Sequence, residues 1–282
     1  MILAIDIGGT KTSLATFSDL LGFPLKSKSI KFPTPEDCDN IMIEFRSAIN
    51  KLIPNPANRS KVNIAIIAYP GLIKDGLPAP ASNLPSWNNL NLIECIKNVF
   101  TECGITCPFY FENDANLGAF YECRGKKGRS IYLTFSTGIG GGVMENNHLT
   151  PDSAVFEPGK MIFTYDGQQS SWEQFASVKA INAANNVDDI IKVKSPKALF
   201  DVASRISLGI SQIIHEREPS VIIIGGPIGL IYRGFEKQLK TIVAPSIGQA
   251  HTKIIKAKKP MECVEYGCYY YAKAILQATA TK

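Results

Sequence analysis

The strongest constraint in this chain is a pair of strand–turn–strand segments whose turns are built from glycine and threonine. In the first, Ile2-Leu3-Ala4-Ile5-Asp6-Ile7-Gly8-Gly9-Thr10-Lys11-Thr12, an apolar run carries Asp6 near its end, two glycines turn the chain, and alternation resumes through Leu14 and Ala15. The second, Ile131 to Met144, repeats the design around Ser136-Thr137-Gly138-Ile139-Gly140-Gly141-Gly142. Such runs on either side of a glycine turn read as hairpins. One hairpin opening each half of the chain points to an internal duplication.

The remaining sequence alternates between helical and strand patterns. Helices are expected at Cys38–Leu52, Leu92–Cys103, Ala115–Glu122, Trp172–Asn185, Pro196–Arg217 and Tyr266–Ala278, and buried strands at Val62–Ala68, Pro108–Glu112 and Val221–Ile224. The stretch 146–171 reads as irregular. Strands alternating with helices argue for an α/β fold with mixed sheets.

Composition narrows the function. The 282 residues suggest two domains or one large one, and 45% hydrophobic with 20% charged residues is ordinary for a packed globular chain. The net charge, 30 minus 25 or +5, is too weak and too scattered to suggest a nucleic-acid partner. Every long apolar stretch is interrupted, so no membrane partner is expected. With no basic-then-apolar leader at the start, the seven cysteines read as reduced thiols of a cytoplasmic protein.

The glycine turns carry the first chemistry. Gly8 and Gly9 leave room for backbone N–H groups to approach a phosphate, Thr10 and Thr12 add hydroxyls, and Lys11 adds positive charge. Asp6 is placed to hold a magnesium ion, through water, beside that phosphate. In the second turn, Thr137, Gly138 and Gly140 belong to a run too rich in glycine to be explained readily by packing. Gly225-Gly226, after a buried strand, is a third close-approach point, suited to an adenine or ribose. Asp114 stands where a strand gives way to a helix. Helix capping and general-base catalysis are equally good readings of it taken alone.

Six ordered segments together resemble the ROK family of sugar kinases. They are Asp6-Ile7-Gly8-Gly9-Thr10-Lys11, Asn83-Leu84-Pro85-Ser86-Trp87, Glu112-Asn113-Asp114-Ala115-Asn116, Thr137 through Gly142, Glu157-Pro158-Gly159-Lys160 and Ile224-Gly225-Gly226. The resemblance covers essentially the whole chain. It implies the actin-like ATPase fold, two ribonuclease-H-like domains around a cleft. The small N-terminal domain would take residues 1–115 plus the C-terminal helix 267–282, and the larger domain residues 116–266. It implies ATP and Mg2+ as cosubstrates, a sugar substrate and a homodimer. Asp114 would be the base for the sugar's C6 hydroxyl. Asn83, Asn113, Glu157, Glu173 and Lys160 would stand around the sugar.

The chain departs from the family pattern where many relatives bind zinc. Lys160 occupies the family's histidine position, and Thr164, Asp166 and Ser171 occupy the three cysteine positions. The resemblance is therefore to a zinc-free member. Lys160 would bind a sugar oxygen or pair with Glu157.

The reading that follows is an ATP:hexose 6-phosphotransferase, with glucose the first candidate because Asn83-Leu84-Pro85-Ser86-Trp87 is closest to the glucokinase-like members. An N-acetylmannosamine or other aminosugar kinase is the alternative. A sugar-sensing repressor of the same family is disfavoured because the first hairpin begins at Ile2, which leaves no room for a DNA-binding domain before it.

Overall fold

The computed structural model of the chain describes residues 1–81, 84–192, 194–247 and 251–280. By its internal contacts the chain divides into two units, Met1–Leu117 with Val264–Lys282, and Gly118–Cys263.

The first unit opens with β1 (Ile2–Ile7) and β2 (Lys11–Leu20), continues through β3 (Phe23–Lys26) and β4 (Ile30–Pro33), and crosses helix α1 (Cys38–Leu52) to β5 (Ile64–Tyr69). A two-residue ribbon, β6 (Ile73–Lys74) with β7 (Leu77–Pro78), leads to α2 (Leu92–Cys103), β8 (Phe109–Asn113) and α3 (Asp114–Glu122). The sheet order is β3-β2-β1-β5-β8, with β4 also on β2. The strand periodicity of two divides this sheet cleanly. Leu3, Ile5 and Ile7 face the core made by α1 and α2, whereas Ile2 and Ala4 face the opposite core, which includes Cys268, Tyr269 and Ala272. Helix α2 ends as its sequence suggests, on Gly104 in the left-handed region with φ 71°.

The second unit repeats the plan. Strands β9 (Ser130–Phe135), β10 (Ile139–Glu145) and β11 (His148–Leu149) precede the antiparallel ribbon β12 (Ile162–Tyr165) and β13 (Gln168–Ser171). Helices α4 (Trp172–Ala176), α5 (Val178–Ala184) and α6 (Pro196–Arg217) lead to β14 (Val221–Gly225), α7 (Gly226–Ile247) and β15 (Lys253–Lys256). The chain returns to the first unit through α8 (Cys263–Ala280). The sheet order here is β11-β10-β9-β14-β15. In both sheets the opening strand pairs antiparallel with the second, and the later strands run parallel to the first. This shared topology is the duplication that the two hairpins announce.

Three local features differ from expectation. The helical pattern at 172–185 is broken at Ser177, whose extended backbone and side chain cap α5 by accepting from the Ala180 N–H at 3.3 Å. The irregular stretch contains the β12–β13 ribbon, with Tyr165 stacked on Phe175 at 4.1 Å. Gly225-Gly226-Pro227 closes a strand, as expected, but also starts the 22-residue helix α7, which the sequence reading lacks. Proline is disfavoured inside helices yet fits their first turn, so Pro227 opens this one.

Candidate functional site

In the first unit, candidate residues from distant parts of the chain meet at one end of one sheet. Asp6 is in register with Ala68 on β5, and Ala68 and Tyr69 with Glu112 and Asn113 on β8. These are the carboxyl ends of parallel strands, where open α/β sheets bind their ligands. Asp6 is half-buried, and its carboxyl is pushed up to about 8. Burial contributes most, the negative charges of Asp114 and Glu265 add to it, and Lys31 opposes it. Carboxylates that perturb one another favour a cation alongside. That suits magnesium, which takes one or two carboxylates and fills its other positions with water and phosphate oxygens. Among the described residues no group of three or more His, Cys, Asp or Glu is assembled to hold a metal by itself.

Asp114 is the first residue of α3, and the residue before it does most of the capping. Asn113 Oδ1 accepts from the backbone N–H of Ala115 at 3.0 Å and of Asn116 at 3.1 Å. Asp114 Oδ1 accepts a local bond from the Ala115 N–H, at 2.7 Å. The amide end of Asn113 donates to Gly71 O at 3.1 Å, so this side chain shapes the loop–strand junction before it meets any ligand. Glu112, which the candidate set lacks, orients the turn by accepting from Asn113 N–H at 2.8 Å and from Asn116 Nδ2 at 2.9 Å. Its place at the head of the Glu-Asn-Asp segment was the available signal.

The first glycine turn is closed by Gly8 N–H donating to Lys11 O at 3.0 Å. Gly8 and Gly9 are half-buried, and Thr10 and Lys11 are exposed at the tip. Thr12 corrects the sequence reading. It is fully buried, and its hydroxyl shares a hydrogen bond with Thr34 at 2.9 Å, while Thr34 donates to Gly8 O at 2.7 Å. Thr12 therefore braces the turn from beneath rather than presenting a donor to a phosphate. Asn83 lies outside the described residues.

In the second unit Thr137 is exposed and Gly138 and Gly140 are half-buried. Packing explains more of this glycine run than the sequence suggests. A Cβ at Gly141 would stand 2.6 Å from the Phe156 ring, and one at Gly138 would stand 2.9 Å from Glu173 Oε2. Gly225 and Gly226 are likewise buried. The space their Cβ atoms would need is taken by Tyr132 and by the Phe135 backbone, and Gly226 has φ +64°. Both glycines thus serve close packing within the unit, which the adenine-or-ribose reading leaves out.

Lys160 pairs with Glu173, not with Glu157. Glu157 is close enough to feel both residues. Desolvation raises its carboxyl above the ordinary value, Lys160 opposes that and Glu173 adds to it. The positions matching the family's zinc ligands hold an ammonium, two hydroxyls and one carboxylate, a donor set that does not suit zinc. The β12–β13 ribbon is held instead by its strand pairing and by Gln169 Nε2 donating to Thr164 Oγ1 at 2.8 Å.

The sequence profile of the ROK family matches residues 2–274. The chain belongs to the ROK family. This ROK protein is 25% identical over 281 residues to a xylose repressor of Bacillus spizizenii, an alignment that takes in 88% of this chain and 71% of the repressor. It is 24% identical over 283 residues to an N-acetylmannosamine kinase of Escherichia coli, covering 90% of this chain and 92% of the kinase. Among solved structures, a ROK glucokinase from Streptomyces griseus, in complex with glucose and AMPPNP, superposes with a TM-score of 0.75 at 21% identity, covering 97% of this chain and 99% of that one. The fold of this ROK protein is the actin-like ATPase fold. No helix among the described residues is long and apolar enough to cross a membrane.

Proposed function

We propose that this ROK protein is an ATP-dependent sugar kinase that phosphorylates the C6 hydroxyl of a hexose, with glucose as the first candidate. The observation that carries the reading is the arrangement at the carboxyl end of the first sheet. Asp114 begins α3 while Asn113 caps it, and Asp6 lies close enough to feel the Asp114 charge beside the Gly8–Gly9 turn.

In this reading Asp114 accepts the proton of the C6 hydroxyl as that oxygen bonds to the γ-phosphorus and the bond from phosphorus to the β-bridging oxygen breaks. Transfer of this kind needs positioning and charge neutralisation more than covalent chemistry. Asn113, anchored on Gly71 and on the start of α3, fixes where Asp114 stands. The turn at 8–11 and the turn at 137–140 present backbone N–H groups to the polyphosphate. Asp6 holds the magnesium that arrives with the nucleotide, which supplies charge neutralisation. Glu157, Glu173, Lys160 and Asn83 select the sugar through its hydroxyls, and a site built on such groups rejects an analogue that leaves them unpaired. The protein acts in the cytoplasm, as a homodimer, with residues 1–115 plus 267–282 and 116–266 as its two domains.

An aminosugar is the second reading. It is favoured by the lysine at the histidine position and by the likeness to N-acetylmannosamine kinases across nearly their whole length. The xylose-repressor relatives raise a sugar-binding role without catalysis. An ADP-release assay on wild type and Asp114→Asn, with glucose, mannose, N-acetylmannosamine, N-acetylglucosamine and xylose, separates the three. Turnover with glucose that depends on Asp114 supports the first reading, and preference for N-acetylmannosamine moves it to the second. Sugar binding with no ATP turnover on any member of the panel overturns the kinase.

A further inference from the structure

In the second unit one carboxylate touches both the sugar-side and the phosphate-side candidates. Glu173, in the first turn of α4, places Oε1 against Lys160 Nζ as an ion pair. Its Oε2 faces the backbone N–H of Ile139, at 3.4 Å, inside the glycine turn. Two glycines make room for it. A Cβ on Gly138 would stand 2.9 Å from Oε2, and one on Gly159, 2.7 Å. The same helical segment grips the turn a second time, because Val178 N–H at the start of α5 donates to Ser136 O at 2.9 Å. The turn at 136–140 therefore rests on α4 and α5 through a backbone bond at one end and the Glu173 carboxylate at the other. Lys160 shares that carboxylate.

We propose that Lys160 is a positioning residue for the nucleotide. By holding Glu173 in its two-glycine seat, it fixes the backbone of Gly138 and Ile139 and so couples the sugar side of the site to the phosphate side through one carboxylate. This rests on the kinase reading above and goes beyond it, since the sequence and the resemblance place Lys160 and Glu173 only at the sugar. The charges explain why the lysine is needed. Glu157, Glu173 and Lys160 sum to minus one. Without the ammonium, two carboxylates that already act on each other have no cation between them, and Glu173 is driven from its seat. A sugar whose hydroxyls bond to Glu173 draws on the same carboxylate, so sugar and nucleotide binding influence each other reciprocally.

The test is calorimetric binding of the magnesium complex of a non-hydrolysable ATP analogue, without sugar, to the full chain. Lys160→Met is expected to weaken binding roughly five- to a hundredfold, the usual span of such couplings. Lys160→Arg, which keeps the cation, is expected to restore it to within about threefold. In a Glu173→Gln background, Lys160→Met is expected to change nucleotide affinity less than about twofold, because the group through which it acts has been altered. Lys160 is 55% exposed, so the variants are expected to fold, and circular dichroism on heating checks that they do. A Lys160→Met variant that binds nucleotide as wild type does while its sugar KM rises overturns the inference and leaves the kinase intact. An equal loss from Lys160→Met in both backgrounds overturns it as well. A wild-type protein that binds no nucleotide overturns the kinase reading and this inference with it.

Discussion

Asn113 caps the helix that Asp114 begins. Its Oδ1 accepts from two successive backbone N–H groups, at 3.0 and 3.1 Å, whereas Asp114 Oδ1 accepts from the adjacent Ala115 N–H. Replacing Asp114 by asparagine therefore leaves the cap in place. Asp114→Asn is expected to lower turnover by at least ~10²-fold, the low bound for a positioned base, and to leave nucleotide affinity within a few fold. Near-normal turnover in this variant would remove Asp114 from the mechanism.

Asp6 gives the protein a pH signature when magnesium and nucleotide are withheld. The unfolded carboxyl ionises near 3.8, and the folded one only near 8. Between those values the folded state keeps a proton that the unfolded state has lost, so stability falls as pH rises across that window. Asp6→Asn is expected to flatten the fall. Thermal melting from pH 4 to 8 on both proteins, with and without MgATP, measures it, and a wild-type curve that rises throughout would contradict the assignment.

Glu265 is buried in the first unit, where it pairs with Lys26 and accepts from Ser13 Oγ at 2.7 Å and Ser29 Oγ at 3.0 Å. Breaking such a pair from one side strands the other charge. Glu265→Ala is expected to cost about 3–5 kcal/mol in urea unfolding, whereas the double change Lys26→Met with Glu265→Met is expected to recover most of that loss. Equal losses from the single and double variants would show that charge burial is not the cause.

Gly226 has φ +64°, and a Cβ there would run into the Phe135 backbone, which cannot swing aside. Gly226→Ala is expected to destabilise the protein by at least about 1–3 kcal/mol, the usual range for overpacking. Gly138→Ala differs because its obstacle is the Glu173 carboxylate, the end of a side chain. It is expected to fold and to weaken both nucleotide and sugar binding, because the carboxylate it displaces also meets Lys160. Melting curves for the two alanine variants, with binding isotherms for the second, distinguish a packing defect from a site defect.

Much of the fold can be read in the sequence because its signals are local. The alternation around Gly8-Gly9 and Gly138–Gly142 marks two hairpins, and the sheets built on them share one strand order. The helices at Cys38–Leu52, Leu92–Cys103 and Pro196–Arg217 stand where their periodicity and flanking residues put them. Helix α7 escapes notice because Gly225-Gly226-Pro227 reads as a stop, although a proline is also a good helix opener. The site is legible by residue type and less so by partner. Whether Lys160 meets Glu157 or Glu173, or Thr12 meets a phosphate or Thr34, depends on packing across loops that no local pattern encodes. The Glu265 cluster is harder still, since Ser13 and Glu265 are 252 residues apart.

That separation bears on how the protein is made. The sheet that carries Asp6 leaves the ribosome before the unit 118–263, yet one of its two cores includes Cys268, Tyr269 and Ala272 of α8, which follows that unit in the chain. The unit 118–263 is contiguous and its hydrophobic cluster is drawn from its own residues, so it is equipped to fold while the earlier unit waits. A nascent chain halted before residue 263 is therefore expected to protect its later half from proteolysis and leave its earlier half open to attack. Biosynthesis would then make the turn at 137–140 before it completes the half that carries Asp114.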